Sequence, residues 1–239
     1  MIETLLLRLR LRDDVSEEEE AALRGVLTST QDYPARVRIV RRGEPLERSI
    51  LLLNGMMCRC KNLRNGQRQI TALHVPGDFL DLHGFTLKRL DHDVMSLGAS
   101  RVAFAPHDRL IKLTEDHPHL MRLLWMTTNM DAAMHREWEL SLGQRSGAVR
   151  AAHLFCELHA REEVVHKNIG HTLKLPMTQA ELGECLGLTV VHTNRVLKEL
   201  REAGLASFTR GDLVIHDIQR LRDFADFDPA YLYLDKRPR

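Results

Sequence analysis

The chain lacks any apolar run approaching the roughly 20 residues that span a bilayer. Its longest strongly apolar stretch near the start, Leu5 to Leu7, is broken by Arg8 and Arg10. No signal-peptide pattern opens it either, so a cytoplasmic protein without membrane contact is expected. A dominant charge is also missing: 34 Lys and Arg stand against 33 Asp and Glu, a formal net charge of +1. Nothing global therefore announces a nucleic-acid partner, although a local basic patch is enough for one. Cysteine is sparse, with four in 239 residues and no CxxC pair. Cys156 and Cys185 sit among helical apolar residues and read as small buried hydrophobes. Cys58 and Cys60 fall on one side of a strand, about 6.7 Å apart along it. A disulfide between them would be strained, and they are the only redox candidates. The one HxH pair, His117-Pro118-His119, carries a proline that suits a helix start better than a ligand pair.

What is present has the composition of a globular protein, 44% hydrophobic and 28% charged. The most informative stretch runs from Thr178 to Gly204. Thr178 with Glu181 three residues on has capping-box spacing and opens a helix to Leu186. Gly187 ends that helix, and Thr189 caps a second that runs to about Ala203. Thr193, Val196, Leu197 and Leu200 recur at helical spacing and form a buried stripe. Val190, Val191, Asn194, Arg195 and Lys198 fall on the opposite side. An apolar back with Asn and Arg near the N-terminus of the front suits the DNA major groove. An ordinary packed helix pair would show the same turn, but two β-prone runs follow around Arg210-Gly211-Asp212. That hairpin makes the unit a winged helix-turn-helix, with Arg210 at the wing tip.

Upstream, Ser16 and Glu19 form a second capping box for a helix reaching Leu27. The period then changes to two. Arg36–Val40, Ile50–Leu53, Met57–Leu63, Gln69–Val75 and Val94–Ala105 read as strands, separated by Arg42-Gly43-Glu44-Pro45, Asn54-Gly55 and Asn65-Gly66 turns. Many short, closely spaced strands indicate a β-roll over residues 36–106. A long helix is expected from about His117 to Leu142. Leu124, Met130, Met134 and Trp138 belong to an apolar arc too wide for one contact surface, so a homodimer is predicted with these four at its interface. Gly143 to Gly147 reads as a hinge, Ala148 to His159 as the next helix, and Asn168 to Pro176 as a loop or strand.

This order of elements resembles the Crp/Fnr superfamily of bacterial transcription regulators, from about Arg36 to Ile215. Its most specific carriers are Pro76-Gly77-Asp78-Phe79-Leu80 and the stretch from Thr178 to Gly204. The resemblance implies an α+β fold: an N-terminal β-roll of the jelly-roll, cyclic-nucleotide-binding-like kind over residues 1–116, a long dimerisation helix with its hinge over 117–145, and a C-terminal winged helix-turn-helix over 146–239. It implies a homodimer that binds double-stranded DNA at an inverted repeat, contacts RNA polymerase if it activates, and senses a small-molecule or redox signal in the roll. Arg195 matches the family's base-reading arginine. Gln179, Thr189, His192 and Asn194 occupy DNA-facing positions. With Thr178, Val190, Val191, Lys198 and Arg210 they complete the expected DNA-binding set. Many relatives carry a Glu where Val191 stands, and Val191 with Val190 offers methyl groups that fit a thymine methyl instead.

The departures from the family pattern bear on the signal. Cyclic-AMP-binding members place a ribose-holding Glu where Leu82 stands, and an Arg-Ser or Arg-Thr pair where Lys88 to Met95 supplies none. Asp91 and Asp93 would repel a phosphate there. Oxygen-sensing members use an N-terminal cysteine cluster, and no Cys precedes Cys58. Neither cyclic AMP nor an iron–sulfur cluster is expected, which leaves haem on a roll histidine, a small organic ligand, oxidation of Cys58 or Cys60, or no effector. Two other functions compete with DNA-dependent regulation. One is a cyclic-nucleotide-binding-like subunit acting without DNA, against which the complete helix-turn-helix argues. The other is a cupin-type metalloenzyme using His74, His83 and His92, but the roll lacks the HxH pair that such a metal site needs. No catalytic or metal-binding residue is assigned, and the chain is not read as an enzyme.

Overall fold

The computed structural model describes residues 2–165 and 170–237. The start of the loop or strand expected from Asn168 lies outside the described residues. The chain divides into two compact units: Met1–Lys61 with Ala72–Ala132 and Tyr233–Arg239, and Asn62–Thr71 with Ala133–Leu232.

The first unit opens with two helices, α1 (Glu3–Arg12) and α2 (Glu17–Val26). The capping box of α2 is present: Ser16 accepts from the Glu19 N–H, and the Glu19 carboxylate accepts from the Ser16 N–H. Helix α1 was not anticipated. Ile2, Leu5, Leu6 and Leu9 recur at the three- and four-residue spacing of one helical face and are at most 3% exposed. They share a core with Leu51, Leu82, Leu110, Leu113, Leu120, Leu123 and Leu124. Removing that many aliphatic side chains from water stabilises the unit by about 1.5–3 kcal/mol each.

The roll consists of β1 (Ser29–Tyr33), β2 (Arg38–Val40), β3 (Arg48–Asn54), β4 (Met57–Asn62), β5 (Arg68–His74), the short helix α3 (Gly84–Leu87), β6 (Asp93–Ser96) and β7 (Ser100–Pro106). They form one sheet in the order β1-β7-β3 and another in the order β2-β6-β4-β5. Ile50, Leu52, Met57, Val94, Val102 and Phe104 fill the space between the sheets. The single strand expected over Val94–Ala105 is two strands in different sheets, because the chain turns through Leu97-Gly98-Ala99. Strand β1 carries no period-two signal, because Ser-Thr-Gln-Asp-Tyr is almost wholly exposed and offers no apolar alternation. Helix α4 (His107–Asp116) follows, then the long helix α5 (Pro118–Gln144), whose first residue is the predicted proline.

Leu124 corrects the interface expectation. It is 5% exposed and packed into its own unit's core, so its side chain is used mainly within its own chain. Trp125, beside it, is 62% exposed.

The second unit contains α6 (Gly147–Glu163), β8 (Thr172–Lys174), α7 (Gln179–Leu186), α8 (Val190–Glu202), the hairpin β9 (Ala206–Thr209) and β10 (Asp212–Ile215), α9 (Ile218–Ala225) and a 3₁₀ turn at Pro229–Leu232. Strand β8 joins the hairpin in the order β8-β10-β9. A buried carboxylate organises this unit. Glu157, 1% exposed, accepts from the Trp138 indole at 3.0 Å, the Tyr231 hydroxyl at 2.9 Å and Arg161 at 3.3 Å. Trp138, also expected at the dimer interface, thus has its ring N–H committed inside its own chain. Among the described residues no helix is long and apolar enough to cross a membrane.

Candidate nucleic-acid interface

The local signals that placed the helix-turn-helix are the ones that build it. The Thr178 hydroxyl accepts from the Glu181 N–H at 3.1 Å, and the Glu181 carboxylate returns to the Thr178 N–H at 2.7 Å. That hydroxyl also donates to the same carboxylate at 3.0 Å. Thr178 therefore acts first as a cap, satisfying N–H groups that a helix start leaves open. Helix α7 ends at Gly187, whose φ is +62°. Thr189 caps α8 by accepting from the His192 N–H.

The two helices approach closely at Gly183. A Cβ there would lie 2.7 Å from the Thr193 hydroxyl oxygen and 2.9 Å from the Leu188 carbonyl oxygen. Only glycine lets the pair close to this distance, and Thr193, fully buried, turns its hydroxyl back onto the Thr189 carbonyl. The buried stripe is the expected one: Thr193, Val196, Leu197 and Leu200.

The front of α8 is bare. Val190 is 50% exposed, Val191 79%, and His192, Asn194, Arg195 and Lys198 are exposed beside them. Gln179, at the start of α7, is half-buried and Thr189 is exposed. The Arg195 guanidinium meets Nε2 of His192, one turn earlier. Lys198 lies 3.6 Å from Glu202 and remains mostly in water. The hairpin turns at Arg210 and Gly211, with φ of +53° and +84°. Two successive positive φ values give the tight turn that matches strand twist. A Cβ on Gly211 would also come within 2.9 Å of the Leu175 carbonyl oxygen. Arg210 is left exposed at the tip.

A groove of about 270 Å³ runs between these elements, lined by Gln179, Asn194, Leu197, Lys198, Arg201, Ser207, Phe208 and Thr209. Ser207 and Thr209 were missed as site residues. Their signal is the alternation in β9, where Ala206 and Phe208 are buried and the two hydroxyl residues face the other way. Two cations, two amides and two hydroxyls in one groove supply donors for phosphate oxygens.

Other expectations meet the structure in the roll. Cys58 and Cys60 are fully buried and form no disulfide. A thiol without solvent access is closed to oxidants, so neither is retained as a redox site. In the second unit, burial pushes the Cys156 thiol up to about 12 and raises the Cys185 thiol as well. Leu82 is a core residue packed with the α1 cluster. Two of the three roll histidines do meet, with the His83 and His92 ring centroids 5.3 Å apart. Among the described residues, no group of three or more His, Cys, Asp or Glu side chains is arranged to hold a metal ion.

Comparison with known proteins adds independent findings. Residues 149–224 match the Crp-like helix-turn-helix domain, and residues 30–117 match the cyclic nucleotide-binding domain. The nitrogen fixation regulation protein FixK of Bradyrhizobium diazoefficiens is 30% identical over 179 residues, covering 73% of this chain and 72% of that one. The chain belongs to the Crp/Fnr family. A second Crp/Fnr relative, the transcriptional activator protein FnrL of Cereibacter sphaeroides, is 25% identical over 218 residues, 89% of this chain and 86% of its own. The solved structure of FixK2 from Bradyrhizobium japonicum superposes with a TM-score of 0.75 at 26% identity, over 83% of this chain and 97% of that one. A Crp/Fnr protein with this helix-turn-helix is a DNA-binding transcription regulator, joined here to a cyclic-nucleotide-binding-like roll.

Proposed function

We propose that this Crp/Fnr regulator binds an inverted repeat as a homodimer, laying α8 in the major groove of each half-site. The observation that carries the reading is the bare front of α8, with Arg195 standing between exposed valines and the Lys198 groove. Arg195 has the fork for guanine O6 and N7, and Val190 with Val191 favours a thymine methyl at the neighbouring step. Asn194 pairs with adenine or holds a phosphate. Gln179, Thr189, His192, Lys198 and Arg210 make phosphate contacts that position without selecting.

The second copy covers α5. Met121, Trp125, Thr128 and Ala132 recur at four, three and four residues, the spacing of a two-helix seam. Met121 and Trp125 are 41% and 62% exposed. Met130 and Met134 flank that seam, and Leu124 and Trp138 leave the proposed interface. The residues upstream of 117 form the sensor, and those from 146 onward the reader. The regulator works in the cytoplasm, without enzymatic activity of its own, and contacts RNA polymerase where it activates.

Selection from a random DNA pool tests this reading. The wild type should enrich inverted repeats with half-site centres about 10–10.5 bp apart. Arg195→Ala should cost roughly 1–3 kcal/mol and relax selection at one symmetric pair of positions. Identical motifs from both proteins would remove Arg195 as the base reader, and unpaired half-sites from the wild type would remove the dimer.

A further inference from the structure

A second concentration of polar groups lies inside the roll. Arg59, on β4, is 3% exposed. A guanidinium withdrawn from water must find partners for its N–H groups. Its Nε donates to the Leu80 carbonyl at 2.7 Å, and its Nη1 donates to the carboxylate of Asp131 on helix α5.

Imidazoles accompany this pair. His74 and His92 are 3% and 7% exposed, and His83 faces His92. In His92 the Nδ1 side meets Asp91 at 2.9 Å, and in His74 it lies 3.6 Å from Asp78. The Nε2 atoms of both rings are buried without a hydrogen-bond partner. Burial and the Arg59 charge hold His74 and His83 down to about 4, and burial lowers His92 as well. The rings are therefore neutral at pH 7. With Nδ1–H turned to Asp91, the His92 Nε2 presents a bare lone pair to the interior, and the His74 Nε2 lies buried in the same cluster. Most buried polar groups find a protein partner; these two ring nitrogens have none among the described residues, beside a guanidinium whose carboxylate partner comes from a separate helix.

We propose that this cluster is the effector site of the regulator, that its ligand is a small free oxyanion, and that the ligand replaces Asp131 at Arg59. The proposal rests on the regulatory reading above. The guanidinium already holds a carboxylate, and a phosphate or carboxylate ligand presents the same pair of acceptors. A second negative charge entering the cluster draws solvent protons onto His74 and His92. Their Nε2–H groups then donate to the anion, while Asp78 and Asp91 support the Nδ1 sides. Anion uptake is thereby coupled to proton uptake.

Each neighbouring acid already has a counter-charge or donor of its own, which offsets the repulsion expected from Asp91 and Asp93. Lys61 holds Asp91 at 2.6 Å and keeps its carboxyl well below the usual range. Asp93 accepts from the Arg42 N–H at 2.8 Å and lies 3.5 Å from Arg38. Burial raises Asp81 to about 7, so it is only partly charged near neutrality. Asp131 precedes Ala132 of the proposed seam, so its release reaches the dimer through one helix.

The test is calorimetric titration of the full chain with inorganic phosphate and, separately, with succinate, at pH 6 and pH 8 in buffers of different ionisation enthalpy. Wild type should bind one of the two with net proton uptake, at least tenfold more tightly at pH 6. Asp131→Asn, which removes the internal competitor, should bind about tenfold more tightly than wild type. His92→Gln should reduce the proton uptake, and Arg59→Lys, which keeps charge but loses the fork, should weaken binding at least tenfold. The phosphate and succinate arms separate a phosphoryl from a carboxylate ligand. DNA retention measured on each protein keeps this outcome apart from a failure of the regulatory reading. Absence of saturable binding in both wild type and Asp131→Asn, or binding without proton uptake, would overturn the proposal.

Discussion

In the helix-turn-helix, Asn194, Arg195 and Lys198 stand exposed on one face of α8, whereas in the roll Arg59, His74 and His92 are enclosed. The first set is spaced by helical turns within five residues. The second is assembled across strands and a helix, and its central ion pair joins residues 72 apart in sequence. Polar groups left in water are free to exchange hydration for a large, flat, charged partner. Enclosed groups are selective for something small enough to enter, and an unmade bond among them is costly in proportion to their burial. Arginine thus stands in both settings, at Arg195 in water and at Arg59 withdrawn from it, and exposure separates them.

The sharpest test of that contrast lies within α8. Leu200 is fully buried, and Leu200→Ala should cost about 2–5 kcal/mol in denaturant titrations. Val191→Ala, at a position 79% exposed, should stay within about 0.5 kcal/mol of wild type while changing the preferred operator. Equal destabilisation by both would erase the division into front and back.

The enclosed region should answer to pH. The Asp81 carboxyl, buried and raised to about 7 although it accepts from the Ile50 N–H at 2.6 Å, keeps its proton where the unfolded chain has lost it. Stability from this group is thus full below about pH 4, declines as pH rises to about 7, and is level beyond. The decline should be of the order of 2–4 kcal/mol. Asp81→Asn should flatten it, and a wild-type curve as flat as the variant's would show that the carboxyl titrates normally.

A smaller effect is expected at the rim. Burial pulls His119 down, but Glu19 at 2.6 Å and Asp13 at 3.3 Å outweigh it and raise the imidazole. The stabilisation is complete below about pH 6.5 and fades as pH climbs through the raised value. His119→Gln should lose less than about 1 kcal/mol at pH 6 and nothing at pH 9, because the site is partly in water. A loss persisting at pH 9 would point to packing instead.

The helix-turn-helix was legible in the sequence because its instructions are local. Thr178 with Glu181, Gly187 and Thr189 each act within four residues of where they stand. Most strands of the roll were legible for the same reason, through period-two alternation and Asn-Gly turns. Helix α1 was readable but obscured: Ile2, Leu5, Leu6 and Leu9 keep helical spacing behind Arg8 and Arg10. The direction of Leu124 was not readable, since an apolar arc covering several faces does not say which one meets the roll. The Arg59 cluster was beyond reach, because no local rule ties Arg59 to Asp131 or turns two imidazoles inward.

The exposed methyl groups of Val190 and Val191 carry one further consequence. Water ordered around them is released when a DNA surface covers them, and that release lowers the heat capacity of the complex. Operator binding should therefore become more exothermic on warming, and replacing the two valines with serine should reduce that slope while leaving the salt dependence, which counts phosphates, unchanged.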